Sequence, residues 1–341
     1  MKAIYSLFLV LALVLIALVG AGNLGMEYLF GVIIPYLAIL IFIAGFVLRV
    51  VGWGKSAVPF RITTTCGQGK SLPWVKQNKI ENPSSTWGVV VRMFFEVFLF
   101  RSLFRNTKMA IQGDRITYSS SKWLWLFAIL FHYTFLVIFL RHMRFFTEPV
   151  PFPFEMLDKM DGMLQIWAPV LYLSSLIILA ALAYLILRRL LVPSIRYISQ
   201  PADYFPLFLI LGVVLTGILM RYFLKTDIMA VKELTMGLAT FKPVAPEGIG
   251  VIFFIHMFLV SALLIYFPFS KLMHMGGVFL TPTRNMTGNT REVRHVNPWN
   301  YPVKVHTYDA YEDEFREKMV EAGLPVVKPL EETPENAENK E

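Results

Sequence analysis

Six apolar stretches, each long enough to cross a bilayer, dominate this 341-residue chain: about 4–22, 27–50, 123–146, 167–191, 205–224 and 249–273. A hydrocarbon core takes roughly 20 apolar residues per helix. Such runs fix the fold class as all-α, an integral membrane helical bundle of about six transmembrane helices. Composition agrees, with 56% hydrophobic and 16% charged residues, where a soluble domain carries about 25% charged. Phe alone supplies 29 residues. The net charge of +8 is topology information rather than a sign of nucleic acid binding, because most Lys and Arg sit in a few loops between apolar segments. No repeat with a period of roughly 20–50 residues is apparent.

The basic loops orient the helices. The 52–121 connection holds Lys55, Arg61, Lys70, Lys76, Lys79, Arg92, Arg101, Arg105, Lys108 and Arg115. The 188–204 connection holds Arg188, Arg189 and Arg196, and the tail holds Lys271, Arg284, Arg291 and Arg294. All three belong in the cytoplasm by the positive-inside rule. The 147–166 loop is acidic (Glu148, Glu155, Asp158 and Asp161 against Lys159) and the 225–248 loop nearly balanced, so both belong outside. Six alternating helices satisfy every assignment, with both termini cytoplasmic and the chain in the cell membrane. Three regions result: an N-terminal transmembrane helix at 1–26, a membrane domain at 27–280 with its 52–121 loop, and a cytoplasmic tail at 281–341. Met1-Lys2, an apolar run and "VGAGN" have the form of a signal peptide. The run is longer than a usual signal core, so a retained helix is expected; cleavage would leave five helices in the same orientation.

Two further segments have their own character. "WGVVVRMFFEVFLFRSLFR", residues 87–105, spaces Arg92 from Glu96 and Arg101 from Arg105 by four. It reads as one helix lying in the membrane interface, either anchored in lipid or forming a ledge for a soluble subunit. After residue 280 the chain is polar, with a short helical piece near 310–322, and "EETPENAENKE" reads as disordered. A tail of this kind, without its own core, suits a partner's surface. The single cysteine, Cys66, excludes an internal disulfide, a Cys-rich iron–sulfur site and the C-x-x-C-H attachment of a c-type haem; it is assigned no role.

The chemistry lies in the histidines. His295 and His306 fall in the polar tail and read as surface residues. His132, His142, His256 and His274 lie within or at the end of apolar helices, where an ionisable group is a functional candidate. His132 and His142 are ten residues apart, about 15 Å along a helix. His256 and His274 are eighteen apart, about 27 Å, or five whole turns on one face. The third helix runs outwards and the sixth inwards. His142 therefore meets His256 near the outer surface, and His132 meets His274 near the cytoplasmic surface. Pro268 bends the sixth helix and helps to reconcile the unequal rises; "KLMHMGG" ends it at Gly276-Gly277.

Two facing pairs suit two haem b groups, each with two axial ligands. A di-iron site needs carboxylates that these helices lack, and zinc needs three or four converging ligands. Arg141 and Arg144 flank the outer pair and Lys271 the inner one, as candidate partners for haem propionates or as interfacial side chains. The rival reading is a membrane anchor or proton-relay transporter subunit without haem. Transporters commonly show matching halves with broken helices, and none is visible here.

These histidine spacings resemble the pattern of the respiratory nitrate reductase gamma subunit, a five-helix diheme cytochrome b that oxidises quinol. "VVVRMFFEVFLFRSLFRN", "LFHYTFLVIFLRHMRFF", "PADYFPLFLILGVVLTGILMRY" and "NPWNYPVKVHTYDAYEDEFREKMVEAGLPV" together resemble the DsrM-type subunit of the sulfite-reduction-associated DsrMKJOP complex, with the Hme complex and membrane heterodisulfide reductase subunits as near relatives. The likeness covers about residues 27–327; the N-terminal helix and the long basic loop depart from the nitrate reductase pattern. The resemblance implies iron ligation by His132 with His274 and by His142 with His256. It also implies menaquinone as redox partner near the outer haem, a cytoplasmic iron–sulfur subunit of DsrK type near the inner haem, and a periplasmic multihaem cytochrome c in the complex. The nitrate reductase subunit uses a lysine after its second histidine for quinone. Lys159 in "EMLDKMDGM" is the candidate here, although the residues around it do not match that motif.

Overall fold

The protein is described by a computed structural model covering residues 2–56, 58, 61–62, 67–165, 169–244, 248–289 and 305–329. Cys66, His295 and the "EETPENAENKE" tail lie outside the described residues. Among the described residues, six helices are long and apolar enough to cross a membrane: Lys2–Gly22, Leu29–Gly54, Lys122–Phe145, Leu173–Leu191, Pro201–Leu224 and Val251–Phe269. Within them, α1 is Lys2–Gly22, α2 is Ile34–Gly54, and α3 and α4, Thr86–Leu99 and Arg101–Phe104, follow in the long loop. A hairpin of β1 (Thr107–Gln112) and β2 (Arg115–Ser120) leads into α5, Lys122–His142. Then come α6 (Phe152–Asp161), α7 (Leu173–Leu191), α8 (Pro193–Ile198), α9 (Pro201–Ile218), α10 (Ile228–Ala239), α11 (Val251–Tyr266), α12 (His274–Gly277) and α13 (Tyr308–Glu321).

The spans are fringed by lipid-facing Leu, Ile and Phe such as Leu40, Leu48 and Phe139. This is a multi-pass membrane protein. Its helices form an arc in which α5 packs on α7, α7 on α9, and α9 on α11, while α1 fills the groove of α9 and α11, and α2 backs α11. The main core gathers Ala17, Phe30, Leu209, Leu234, Phe254 and Leu259 from α1, the start of the second span, and α9 to α11. Gly45 permits a close approach of α2 to the end of the sixth span, since a Cβ there would stand 2.7 Å from Pro268.

One end of the bundle collects the basic connections. Lys2 Nζ donates to Tyr197 O (3.4 Å) and Ser6 Oγ to Pro201 O (2.9 Å). Asp203 accepts from the Gln200 N–H (2.9 Å), capping α9 behind Pro201. At the same end residues 61–62, 67–106 and 281–289 form one layer. Arg61 Nε and Arg92 Nη1 both donate to Thr283 O at 3.2 Å, and the Gly288 N–H donates to Pro83 O at 2.7 Å.

Glu81 is buried in this layer, with Arg101 and Arg105 each 2.6 Å from its carboxylate. Burial pushes its carboxyl up, but hydrogen bonds and charge from Arg105 and Arg101 outweigh that and hold it below the ordinary 4.5. A carboxyl lowered on folding stabilises fully above its unfolded value and loses that contribution as pH falls through the folded one. The layer is therefore expected to loosen at pH below about 4.5. Glu81→Gln should remove that acid step from amide hydrogen exchange of residues 67–106. Parallel loss of protection in wild type and variant would refute the assignment.

The structure departs from the sequence reading in four places. The expected single helix at 87–105 breaks at Phe100, which is left-handed (φ 49°, ψ 44°). For an aromatic residue that conformation costs about 1–2 kcal/mol. The sixth helix, expected over 249–273, ends at Tyr266. A 3-10 turn holds Pro268, Ser270 is extended, and its side chain caps a restart at Leu272 N (3.2 Å). His256 and His274 are thus on separate pieces rather than five turns of one helix. The proline lacks an N–H and disfavours helix at the residue before it, so the bend became a break. The two outer loops hold helices, α6 and α10, the latter capped by Asp227 accepting from Met229 N (2.8 Å). The 107–120 hairpin was read only as loop. Its alternating "TKMAIQ" and "RITYSS" flank Gly113 at φ 59°, where positive φ makes the tight turn.

Candidate functional site

The four membrane histidines come together as two pairs. The rings of His132 and His274 have centroids 5.9 Å apart and planes at 86°. Those of His142 and His256 lie 6.5 Å apart and nearly parallel, at 11°. Ten residues of α5 separate the two pairs, about 15 Å along the bundle. α5 packs chiefly on α7, and each pair sets one ring of α5 opposite one ring of the α11–α12 segment.

The hydrogen bonds fix the tautomers. His132 Nδ1 is 2.7 Å from Ala128 O, His142 Nδ1 is 2.6 Å from Ile138 O, and His274 Nδ1 is 2.8 Å from Lys271 O. A carbonyl only accepts, so each Nδ1 carries the proton. His256 Nδ1 is 2.9 Å from Thr216 Oγ1, whose own hydroxyl is placed to donate to Gly212 O (2.8 Å). Nδ1 of His256 is then the donor as well. All four rings keep an Nε2 lone pair available for a metal, and second-sphere bonds of this kind orient ligating histidines.

The spacing fits the same purpose. With metal–nitrogen bonds of about 2.0–2.1 Å, two imidazoles on opposite sides of one ion place their centroids roughly 6.4 Å apart. Both observed separations are near that value. Among the described residues no three His, Cys, Asp or Glu side chains cluster for a metal. Each pair offers two ligands only, which suits an iron already held in the plane of a macrocycle.

The cations behave differently from one another. Arg141 is buried and paired with Asp161, which also accepts from Ser174 N (2.8 Å) and Ser174 Oγ (2.6 Å). Arg144 pairs with Asp158 at 2.7 Å, and the Tyr172 hydroxyl donates to the same carboxylate at 2.7 Å. The Tyr172 ring is stacked by Arg141 (3.3 Å) and Arg221 (3.8 Å). The Nε groups of Arg141 and Arg221 are buried with no hydrogen-bond acceptor among the described residues. Lys271 is exposed and pairs with Asp203 at 2.6 Å. Lys159 is exposed on α6, while its neighbours Asp158 and Asp161 tie that helix to α5.

Asp158, Asp161, Tyr172, Thr216 and Arg221 were not anticipated as site residues. The two acids had been weighed only as loop charge, although their three-residue spacing puts them on one helical face. Thr216 carried no signal in an apolar run.

Comparison with known proteins extends these findings. The "Hdr-like menaquinol oxidoreductase cytochrome b-like subunit" of Archaeoglobus fulgidus is 47% identical over 279 residues, covering 80% of this chain and 83% of the relative. The protein of the same name from Archaeoglobus profundus is 45% identical over 276 residues, covering 78% and 81%. The family model described as nitrate reductase gamma subunit matches residues 85–294, a stretch that contains all four paired histidines and both flanking arginines, and this chain belongs to that family.

Proposed function

We propose that this chain is the diheme b-type cytochrome subunit of a membrane quinol-linked oxidoreductase complex. The observation that carries the reading is the two facing histidine pairs, each at a separation suited to one metal ion and each with its Nε2 atoms available. His132 and His274 would ligate the inner haem iron, His142 and His256 the outer one. When bound, the two haems would supply one-electron transfer across the membrane.

The remaining work falls to the chain itself. The α5, α11 and α12 backbones hold the rings, and Ala128, Ile138, Lys271 and Thr216 keep Nε2 unprotonated. The buried Nε group of Arg221, which has no hydrogen-bond acceptor among the described residues, is a candidate anchor for a propionate of the outer haem, with Arg141 and Arg144 beside it, both already paired to Asp158; Lys271 takes that part at the inner end. Menaquinol as reductant is supported by the names of the Archaeoglobus relatives. Its oxidation at the outer end releases two protons there and two electrons inwards, and Lys159 is the candidate contact for the quinone. The electron acceptor is a cytoplasmic iron–sulfur subunit of the heterodisulfide-reductase-like DsrK type, seated on the basic end. A periplasmic multihaem cytochrome c completes the complex, and the resemblance to the DsrM type links it to dissimilatory sulfite reduction. Both termini lie in the cytoplasm.

The test is a reduced-minus-oxidised spectrum of the purified, haem-supplied protein with pyridine haemochrome quantitation, followed by addition of a menaquinol analogue. Two b haems per chain, both reduced by the quinol, are expected. A folded preparation that takes up no haem would return the chain to the anchor or proton-relay reading.

A further inference from the structure

The break between α3 and α4 lies beside the inner pair. Trp125 Nε1 donates to Leu99 O (2.8 Å) and the Tyr133 hydroxyl to Phe98 O (2.9 Å). Tyr133 is the twelfth residue of α5, so the end of α3 runs alongside the membrane-spanning part of that helix. The two carbonyls are those a helix end leaves without donors, and at membrane depth such groups need partners from the protein. Trp87, Val91, Phe94 and Phe98 form an exposed apolar stripe on α3, whereas Arg92 points inward to Thr283 O. The element is thus dipped beside α5 with its apolar side to the lipid.

What the break achieves is seen at Phe100. Its ring stands 5.0 Å from the His132 ring at 88°, edge to face. On His132's own helix Phe131 makes a similar contact at 5.1 Å and 86°. His132 therefore has one aromatic neighbour from its own helix and one from the kink. Backbone strain in a bulky residue is a sign that the surroundings hold it there for a purpose. The left-handed turn delivers the Phe100 ring to the imidazole, which a continuous helix would carry past.

We propose that Phe100 is a positioning residue: the kinked α3–α4 element closes the side of the inner site and its aromatic edge sets the orientation of the His132 ring. The proposal rests on the cytochrome reading. It assigns a role to a residue whose ring touches the ligand and not the iron.

Phe100→Gly separates ring from backbone, because glycine adopts positive φ without strain. Phe100→Tyr keeps the aromatic edge. Both are compared with wild type as the full-length, haem-loaded protein. One readout is the largest g value of each low-spin ferric haem in electron paramagnetic resonance, which depends on the mutual orientation of the axial rings. The other is the fraction of reduced haem that binds carbon monoxide, which requires an axial ligand to leave. The glycine variant is expected to hold two haems, shift one signal and leave the other unmoved, and make one of its two haems reactive to carbon monoxide. Phe100→Tyr should behave as wild type. If the glycine variant cannot be recovered, Phe100→Leu, which keeps apolar volume without a ring, is read by the same signals with the same expectation. Two haems with unmoved signals and no carbon monoxide binding in the variant overturn the role of Phe100 and leave the cytochrome reading standing. A wild-type protein without haem overturns both.

Discussion

His142→Ala and His256→Ala are expected to lose the same haem and keep the other, while His132→Ala and His274→Ala lose the second. The expectation follows from the ring pairs and from the Nδ1 hydrogen bonds that leave Nε2 facing a metal. On the proposed function, removing one histidine of a pair would take away one of only two protein ligands to the iron. Even loss of an outer partner of a metal ligand typically costs about 10–100-fold in affinity, so loss of the ligand itself should empty the site. Haemochrome quantitation gives the number retained, and electron paramagnetic resonance says which signal survives. Haem content falling by half in each of the four variants, with the same signal lost in each member of a pair, is the expected pattern. If His132→Ala and His142→Ala lost the same signal, the pairing between α5 and the α11–α12 segment would be wrong.

The second large effect concerns the Arg141–Asp161 pair. Both side chains are almost wholly buried, at 8% and 6% exposure. Asp161→Asn leaves the guanidinium with only the more exposed Asp158, 3.4 Å from its Nε, as counter-charge. Breaking a buried pair by removing one partner costs about 3–5 kcal/mol, because the remaining charge stays desolvated. The Lys232–Glu148 pair at the same end supplies the control, since Glu148 is 60% exposed. Exposed pairs contribute about 0–1 kcal/mol, so Glu148→Gln should be close to neutral. Denaturant unfolding in detergent, followed by the near-ultraviolet signal of the tryptophans, compares the two variants. A loss of less than about 1 kcal/mol for Asp161→Asn would mean that Arg141 finds another acceptor or reaches water.

The spans were legible because an apolar run of bilayer length has few other readings. The histidines stood out for a related reason: imidazole is rare in such runs, so four of them carried more weight than any charge in a loop. What the sequence did not reveal depends on choices made between distant segments. Arg141 had several carboxylates within reach of the outer loop, and only the docking of α6 on α5 selects Asp161. Pro268 announced a disturbance, but whether a helix bends or stops there is decided by Ser270, whose side chain caps the restart. Phe100 looked like one more apolar position on an amphipathic helix. Its left-handed backbone is imposed by Trp125 and Tyr133, which lie 25 and 33 residues further along the chain. The hairpin's alternation around Gly113 is short and lies in a loop dominated by Lys and Arg, so its strand signal is weak beside the charge.

The place of α1 in the bundle has a consequence for how the protein is made. Ser6 bonds to Pro201, 195 residues away, and Ala17 and Val10 share a core with residues of α9 and α11. α1 therefore finds these neighbours only after α9 and α11 have been made. During synthesis α1 and α2 wait in the bilayer with their small-residue faces uncovered, and the core cannot close until α11 has been inserted. Contacts that join the two ends of a chain in this way make assembly slow. A ribosome halted before α11 leaves a partly assembled set of helices exposed to membrane quality control, so insertion of α11 is the step that lets the core close.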